Sequence, residues 1–316
     1  MQKTCFSYVQ SFSCLAGGCP DTCCRDWEID LDQAAQARYQ RIPGALGEEL
    51  RAAMAEGGDC FRLKGAYCPF LNEEGLCRIQ LSCGEEALTV NCASFPRFRE
   101  IYGGTEELSL SPACPEAARL LLEAPALELT TEQDSRPPEL NDLNPARVMG
   151  LRRIRKQAIG VLSAADEPLQ RKLGRLLALG NAAQKLTDAH RDEGLLTVEI
   201  PEALYLAVDD NGIIQNYENL EILRPDWPEL LERERLQAGD ARCSGRYAAY
   251  HLFRWLMKAA EDGDILSRFR SAVWGALCLE HLTATGMDPV TALYRYCREV
   301  EHNEDNLLAV RSWSIP

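Results

Sequence analysis

The sequence predicts a mainly α-helical protein in which a cysteine-rich, metal-binding N-terminal domain packs on a helical C-terminal domain. Three observations predict this. Eleven of the fourteen cysteines fall within the first 114 of the 316 residues. A polar stretch with three prolines follows. Beyond it, apolar residues recur at helical spacing almost to the end of the chain. The corresponding boundaries are 1–125 for the cysteine-rich domain, 126–145 for a linker and 146–316 for the helical domain.

The elements follow in order. Asp30 or Asp32 can cap a helix over 33–55, where Ala, Leu and Met alternate with charged residues. This helix separates two cysteine runs, which should be loops held by what they bind; Gly17-Gly18-Cys19-Pro20 suits a backbone turning around a metal. Pro115 and the run Glu116-Ala-Ala-Arg-Leu-Leu-Leu predict a helix starting directly after Cys114. Glu132 to Pro145, with Pro137 and Pro138 among polar residues, reads as the linker or long loop. Residues 146–191 carry helical periodicity, first at Ile154, Ala158 and Leu162, then at Leu173, Leu176 and Leu177. Leu195–Leu223 alone has strand character. There Asn211-Gly212 would close a short β-hairpin between Leu204–Val208 and Ile213–Ile214. Asp264 caps a helix running to about Thr285, and Asp288-Pro289 opens a last one running to about Glu301.

Charge and patterning bound the function. The formal net charge is −14, about −7 in residues 1–125 and about −7 in the rest. This excludes nucleic acid as the main partner, because phosphate neutralisation needs clustered Lys and Arg. The acidic balance favours solubility and would attract a lysine-bearing substrate. No run of roughly 18 apolar residues occurs, so no membrane-spanning helix is expected. Residues 1–16 lack the basic start and apolar stretch of a secretory signal. A cytoplasmic protein is therefore expected. Thiols stay reduced in that compartment, so dense cysteine points to metal rather than to disulfides.

Cys14, Cys19, Cys23 and Cys24 form the first run (C-x4-C-x3-C-C). Cys68, Cys77, Cys83 and Cys92 form the second; Cys114 follows, and Cys5 and Cys60 stand apart. Thiolate selects zinc or iron–sulfur clusters among common metals. There is no C-x2-C knuckle of the kind zinc fingers use, and clusters accept wider spacing, yet spacing leaves both open. Adjacent cysteines rarely share one small ion. Cys23 and Cys24 could serve different metals, or one could be a ligand and the other its neighbour. Cys114 at a helix N-terminus suits a ligand or a reactive thiol. Cys243, Cys278 and Cys297 are isolated and read as small buried hydrophobes. Trp27, Phe70 and Phe95 flank cysteines and would screen a metal from water.

Taken together, Cys14-x4-Cys19-x3-Cys23-Cys24, Cys68-Pro-Phe-Leu, Gly75-Leu-Cys77-Arg-Ile-Gln, Cys92-Ala-Ser-Phe-Pro-Arg97 and Ser111-Pro-Ala-Cys114-Pro-Glu116 form an ordered set of blocks. This set resembles the flagellin lysine-N-methylase family, and is similar in part to shorter CxxxCC-type zinc- or iron-chelating proteins. The resemblance is strong over residues 1–125, with a weaker echo at Glu301-His-Asn-Glu-Asp-Asn-Leu. It implies methyl transfer from S-adenosylmethionine to the ε-amine of lysines on flagellin or a similar protein, by an enzyme holding a [4Fe-4S] cluster. The ligand candidates it implies are Cys14, Cys19, Cys23, Cys24, Cys68, Cys77, Cys92 and Cys114; Cys5, Cys60 and Cys83 fall outside its pattern. Eight thiols exceed one cluster. Two metal centres would use them, or one cluster beside structural or reactive thiols.

No glycine-rich loop follows a strand as in a Rossmann-type methyltransferase. A radical-type C-x3-C-x2-C signature is missing too: after Cys19 and Cys23, position 26 is Asp26. The sequence does not locate a site for S-adenosylmethionine; one hypothesis is that an open iron of a cluster chelates its methionyl group. Arg78 and Arg97 closely follow ligand candidates and are candidates for holding a carboxylate or a cluster sulfide, against the plainer role of surface salt bridges. Glu116 and His302 are acid–base candidates, Glu116 against a role in helix capping. The alternative to an enzyme is a non-catalytic, structural zinc-binding interaction module, or a metal or redox sensor with labile thiols.

Overall fold

The computed structural model describes residues 1–139, 141–202, 206 and 210–315, with the backbone alone at 210 and 211. Helices dominate, and they rest on one small sheet. Its strands are β1 (Gln2–Phe6), β4 (Arg97–Tyr102), β5 (Thr105–Leu110) and β6 (Leu129–Gln133), in the order β4-β5-β1-β6. β1 runs parallel to β5 and antiparallel to β6, while β4 and β5 form a hairpin. Gly103 and Gly104 turn that hairpin at φ 53° and 77°, backbone angles that cost glycine little. β6 lies inside the stretch read as linker.

Sequence pattern concealed this sheet because β5, Thr-Glu-Glu-Leu-Ser-Leu, reads as solvated, yet all six of its residues are buried. Its glutamates are compensated by arginines from other segments. Arg155 Nη2 lies 2.7 Å from Glu107 Oε1, and Arg136 Nη2 lies 2.8 Å from Glu106 Oε2. A buried carboxylate survives only when paired in this way.

The helical body is built from α5 (Pro115–Glu123), α6 (Pro145–Ser163), α7 (Leu169–Asp188), α8 (Asp210–Glu218), α9 (Trp227–Leu231), α10 (Ala241–Trp255), α11 (Ala259–Asp262), α12 (Leu266–Ala284), α13 (Pro289–Tyr296) and α14 (Glu304–Ser312). α12 is buried on nearly every side, from Phe269 through Trp274 to Leu282, and so forms the centre. Asp288 accepts the Thr291 N–H at 2.9 Å to start α13, and Asp264 accepts the Ser267 N–H at 3.3 Å ahead of α12. α13 does not stop at Tyr296. It widens into a π-turn over Cys297–Glu301, a local departure that often marks a working site. No helix among the described residues is long and apolar enough to cross a membrane.

Two expectations need correction. The hairpin around Asn211-Gly212 does not form: Ile213 and Ile214 lie within α8, and Leu204–Val208, Leu206 apart, fall outside the described residues. Ile213 and Tyr217, four residues apart on one face, are 1% and 0% exposed, and this burial outweighs the local turn signal. The single helix over 33–55 is instead two, α1 (Gln33–Arg41) and α2 (Gly44–Ala53). Pro43 breaks it, because proline disfavours helical backbone at Ile42 and offers no N–H. Asp32 caps α1, accepting the Ala35 N–H at 2.9 Å.

Two apolar cores result. One joins the sheet, α5 and the helical body; Phe6, Leu110, Ala113 and Leu121 pack with Leu151, Phe253 and Trp274. The other is small and belongs to residues 29–88, built from Ile29, Tyr39, Leu50, Phe61, Phe70, Ile79 and their neighbours. Besides α1 and α2, this lobe holds the two-residue strands β2 (Ile29–Asp30) and β3 (Cys60–Phe61) and α3 (Arg78–Cys83); α4 (Val90–Ser94) follows.

Candidate metal centre and the residues that build it

The first cysteine loop is held from the far end of the chain. Asp21, between Cys19 and Cys23, is buried and takes bonds from Arg224 at 2.7 and 2.8 Å and from Arg298 Nη1 at 2.9 Å. Burial alone would push its carboxyl up, but the Arg224 hydrogen bonds and the Arg298 charge win and hold it below its ordinary range. Arg298, in the π-turn and 0% exposed, also donates to the carbonyls of Asp21 (2.8 Å), Thr22 (3.3 Å) and Ala113 (2.9 Å). One guanidinium therefore joins the Cys19–Cys23 loop to the residue before Cys114. Arg224 also reaches Asp26, whose left-handed backbone (φ 73°) turns the chain just after Cys24. Trp27 donates its indole N–H to the Cys23 carbonyl at 2.8 Å, and Arg298 stacks over its ring.

The second run is assembled inside the small lobe. The Cys68 N–H bonds to the Cys24 carbonyl at 2.9 Å. Leu71 and Cys77 pair as an antiparallel bridge, and the Arg78 N–H reaches the Phe70 carbonyl at 2.8 Å. Gly75 (φ 72°) and the Asn72 side chain, which accepts the Glu74 and Leu76 N–H groups, turn the chain between Cys68 and Cys77. Thr89 caps α4 by accepting the Cys92 N–H at 3.1 Å, and Asp32 accepts the Val90 N–H at 2.8 Å. Thus Cys92 is anchored to the start of α1.

The thiols differ in character. The adjoining Cys24 thiol and burial hold Cys23 far above its usual range, while the Cys23 thiol draws Cys24 down to about 7 against the opposing effect of burial. Burial pushes Cys68 up to about 12, with the thiols of Cys24, Cys77 and Cys92 adding to it. Burial likewise raises Cys114 to about 11, helped by Cys19 and Cys14 and opposed by N–H groups at the start of α5. Cys19 and Cys77 are raised mainly by burial. Among the described residues, no three His, Cys, Asp or Glu side chains are arranged to hold a single metal ion.

The remaining candidates fall in distinct places. His302 follows the π-turn. Its Nε2 is 2.8 Å from Ser111 Oγ, and its ring stacks on Trp27 with Phe95 and Phe98 alongside. This crowding, with Arg254 adding, lowers its pKa to about 4, although part of the residue stays open to solvent. Glu116 is committed to Arg119, with contacts of 2.7 and 2.8 Å. Arg78 pairs with Glu49 at 2.7 Å on a half-exposed surface, and Arg97 lies exposed over the Phe12 ring. Trp27 and Phe95 pack together, and Phe70 sits in the small core. Cys5 is buried beside Thr130, Cys60 lies in β3 and Cys83 ends α3. Cys243, Cys278 and Cys297 are buried.

Sequence reasoning missed Asp21, Arg224 and Arg298. The bond between Asp21 and Arg298 spans 277 positions, and no local pattern signals such a partner.

Over 129 residues, covering 38% of this chain and 76% of its relative, the chain is 34% identical to the flagellar biosynthetic protein FliU of Salmonella muenchen. It is 33% identical over 129 residues to the lysine-N-methylases of Salmonella typhimurium and Salmonella choleraesuis, again over 38% of this chain but only 32% of theirs. The aligned part thus spans about a third of those two enzymes. No family model and no solved structure matches the chain. With three quarters of FliU covered and the ordered cysteine blocks in place, the chain belongs to the flagellin lysine-N-methylase family.

Proposed function

We propose that this chain is a protein-lysine N-methyltransferase that moves a methyl group from S-adenosylmethionine to lysine ε-amines of flagellin or a similar protein, with a cysteine-held iron–sulfur cluster. The observation that carries the proposal is the identity to two lysine-N-methylases, whose names state the reaction. Thiol donors suit a [4Fe-4S] cluster by their chemistry, although among the described residues no three of them are grouped. The candidate ligands are thiols, Cys24 is drawn toward ionisation near pH 7, and the Arg298 charge acts on Cys19 and Cys23. Three of Cys14, Cys19, Cys23, Cys24, Cys68, Cys77, Cys92 and Cys114 would hold it with one iron left open, and a fourth would complete it. When bound, such a cluster supplies iron able to take a nitrogen or oxygen donor of the methyl donor.

The chain's own residues account for the proton. In the transfer, the lysine Nζ lone pair takes the methyl carbon and the carbon–sulfonium bond breaks. S-adenosylhomocysteine leaves, and one proton must leave the nitrogen. His302 is the base in this reading. Its ring is oriented by Ser111 and Trp27; the lowered pKa keeps it neutral at pH 7 and also makes it a weak base. Glu116, paired to Arg119, would steady α5 behind Cys114. The net charge of −14 would draw in a cationic lysine.

The test supplies anaerobically prepared protein with flagellin and S-adenosylmethionine labelled in its methyl group. Label should appear as Nζ-methyllysine, and His302→Ala should lower kcat by about 10²–10⁴-fold, the usual worth of a positioned base. Metal-loaded protein that transfers no label would overturn the reading. Full activity in His302→Ala would remove the base from it.

A further inference from the structure

Resting on His302 as the base in the reading above, we propose that the free edge of β4 is the docking strand for the protein substrate. An extended, lysine-bearing segment pairs with Arg99 and Ile101, and carboxylates directly before or after the lysine meet Arg97 and Arg99.

β4 is an outer strand of the sheet, so one side of its backbone has no neighbouring strand. The hairpin decides which groups line that side. Tyr102 and Thr105 close the Gly103-Gly104 turn, and its two left-handed glycines make that closing pair a hydrogen-bonded one. Such pairs alternate along an antiparallel ladder, so Phe98, Glu100 and Tyr102 direct their N–H and C=O groups to β5. Arg97, Arg99 and Ile101 turn theirs outward. Two contacts fix this parity independently. The Ser111 N–H reaches the Pro96 carbonyl at 2.8 Å on the inner side, and the Asn141 side chain donates to the Ile101 carbonyl at 2.8 Å on the outer side. Asn141 also accepts the Gly103 N–H at 3.1 Å, and so closes the edge at its hairpin end. Among the described residues, nothing accepts the N–H of Arg99 or Ile101, and nothing donates to the Arg99 carbonyl.

What lies beside this edge identifies its occupant. The other outer strand, β6, is separated from it by β5 and β1. β4 carries Phe98, whose ring centre is 6.0 Å from that of His302 and 3.4 Å from the Arg254 guanidinium. Phe98 is half-buried and His302 is open to solvent. A strand added here would lie about 4.8 Å beyond β4, with every second side chain on the Phe98 face. A lysine on that face runs along Phe98, and its four-carbon stem carries Nζ toward His302. Its neighbours in sequence fall on the opposite face, where β4 presents Arg97 and Arg99, both exposed. Arg97 lies 4.8 Å over the Phe12 ring and, among the described residues, pairs with no carboxylate. Main-chain pairing then gives affinity, and Phe98 with the two arginines chooses the lysine. A lysine inside a helix has its backbone already committed and is refused.

The experiment measures fluorescence anisotropy of a labelled peptide, Thr-Val-Glu-Lys-Glu-Val-Thr, with anaerobically prepared full-length protein. Arg99→Pro removes the outward N–H and sets a ring against an incoming strand. It leaves the β4–β5 ladder whole, because Arg99 gives that ladder no bond. Arg99→Ala removes the side chain alone. Thr131→Pro is the matched change at the β6 edge, where the Ser7 N–H bonds the Glu128 carbonyl and the Asp134 N–H the Met1 carbonyl, which turns Thr131 outward. Arg99→Pro should weaken binding about tenfold beyond Arg99→Ala, and Thr131→Pro should leave it unchanged. Should Arg99→Pro fail to fold, hydrogen exchange on wild type decides: saturating peptide should protect the Arg99 and Ile101 amides. Equal affinities of Arg99→Pro and Arg99→Ala, unprotected amides in the saturated complex, or a peptide that does not bind would each overturn the docking edge. So would an Arg99→Pro that dissociates a dimer yet binds peptide as before, which would give the edge to a second copy of the chain. Peptide held at β4 but never methylated would overturn the proposed activity and leave the edge standing. Methylation that Arg99→Pro leaves intact would do the reverse.

Discussion

Stripping the metal should unfold residues 19–92 while the helical body stays folded. The small lobe has little else to hold it. Its core comprises eleven buried residues, its strands β2 and β3 are two residues each, and Gly57, Gly58, Gly65, Gly75 and Gly84 all sit at positive φ. Ordering a residue's backbone costs about 1–2 kcal/mol, which a core of this size offsets poorly. Metal binding to small cysteine sites is worth about 10–16 kcal/mol and is lost with the metal. The main core, centred on α12, meets the cysteine loops only at its edge, through Phe12, Trp27, Phe95 and Cys114. Hydrogen–deuterium exchange before and after chelation reads this directly. Protection should vanish from 19–92 and persist in α6, α7, α10 and α12. A chelated protein with unchanged protection in the lobe would refute it.

Arg298→Met should destabilise the protein by about 3–5 kcal/mol, the usual cost of leaving a buried charge without one of its partners. Asp21 would keep Arg224 but lose Arg298, and the carbonyls of Asp21, Thr22 and Ala113 would lose a shared donor. The same change releases the Cys19–Cys23 loop from the start of α5, so metal retention should fall as well. Urea denaturation and metal content measure both effects. Arg78→Met serves as a control, because its pair with Glu49 is half exposed and should be worth no more than about 1 kcal/mol. Asp21→Asn combined with Arg298→Met should cost less than the two separate losses added together, as expected for partners in one network. Equal costs for Arg298→Met and Arg78→Met would show that the guanidinium is not the clamp described.

Much of the fold was legible because its signals are local. Asp32, Asp264 and Asp288 each accept backbone N–H groups at a helix start, as their positions predicted. Pro43 is equally visible, and its break between α1 and α2 overrides the continuous periodicity of 33–55. The sheet was harder. Gly103-Gly104 between two strand-like runs was a hairpin signal, but β5 carries two glutamates whose arginine partners lie about 30 and 48 residues away. Cysteine spacing marked the candidate ligands, yet nothing local tells that adjacent Cys23 and Cys24 face different partners. That follows from Cys68 bonding to Cys24 and from Arg298 clamping the loop before Cys23, both products of the assembled fold. His302 was legible as a candidate. Its neutral state was not, because it depends on Trp27, Phe95 and Arg254 converging from three segments.

The iron and acid-labile sulfide content of anaerobically purified wild type, with its visible spectrum, tests the account most directly. The account predicts a brown protein with iron and sulfide in equal amounts, at least about four of each per chain, and the broad absorbance of thiolate-held clusters. A colourless protein with stoichiometric zinc and no sulfide would contradict it and reduce the cysteines to scaffold.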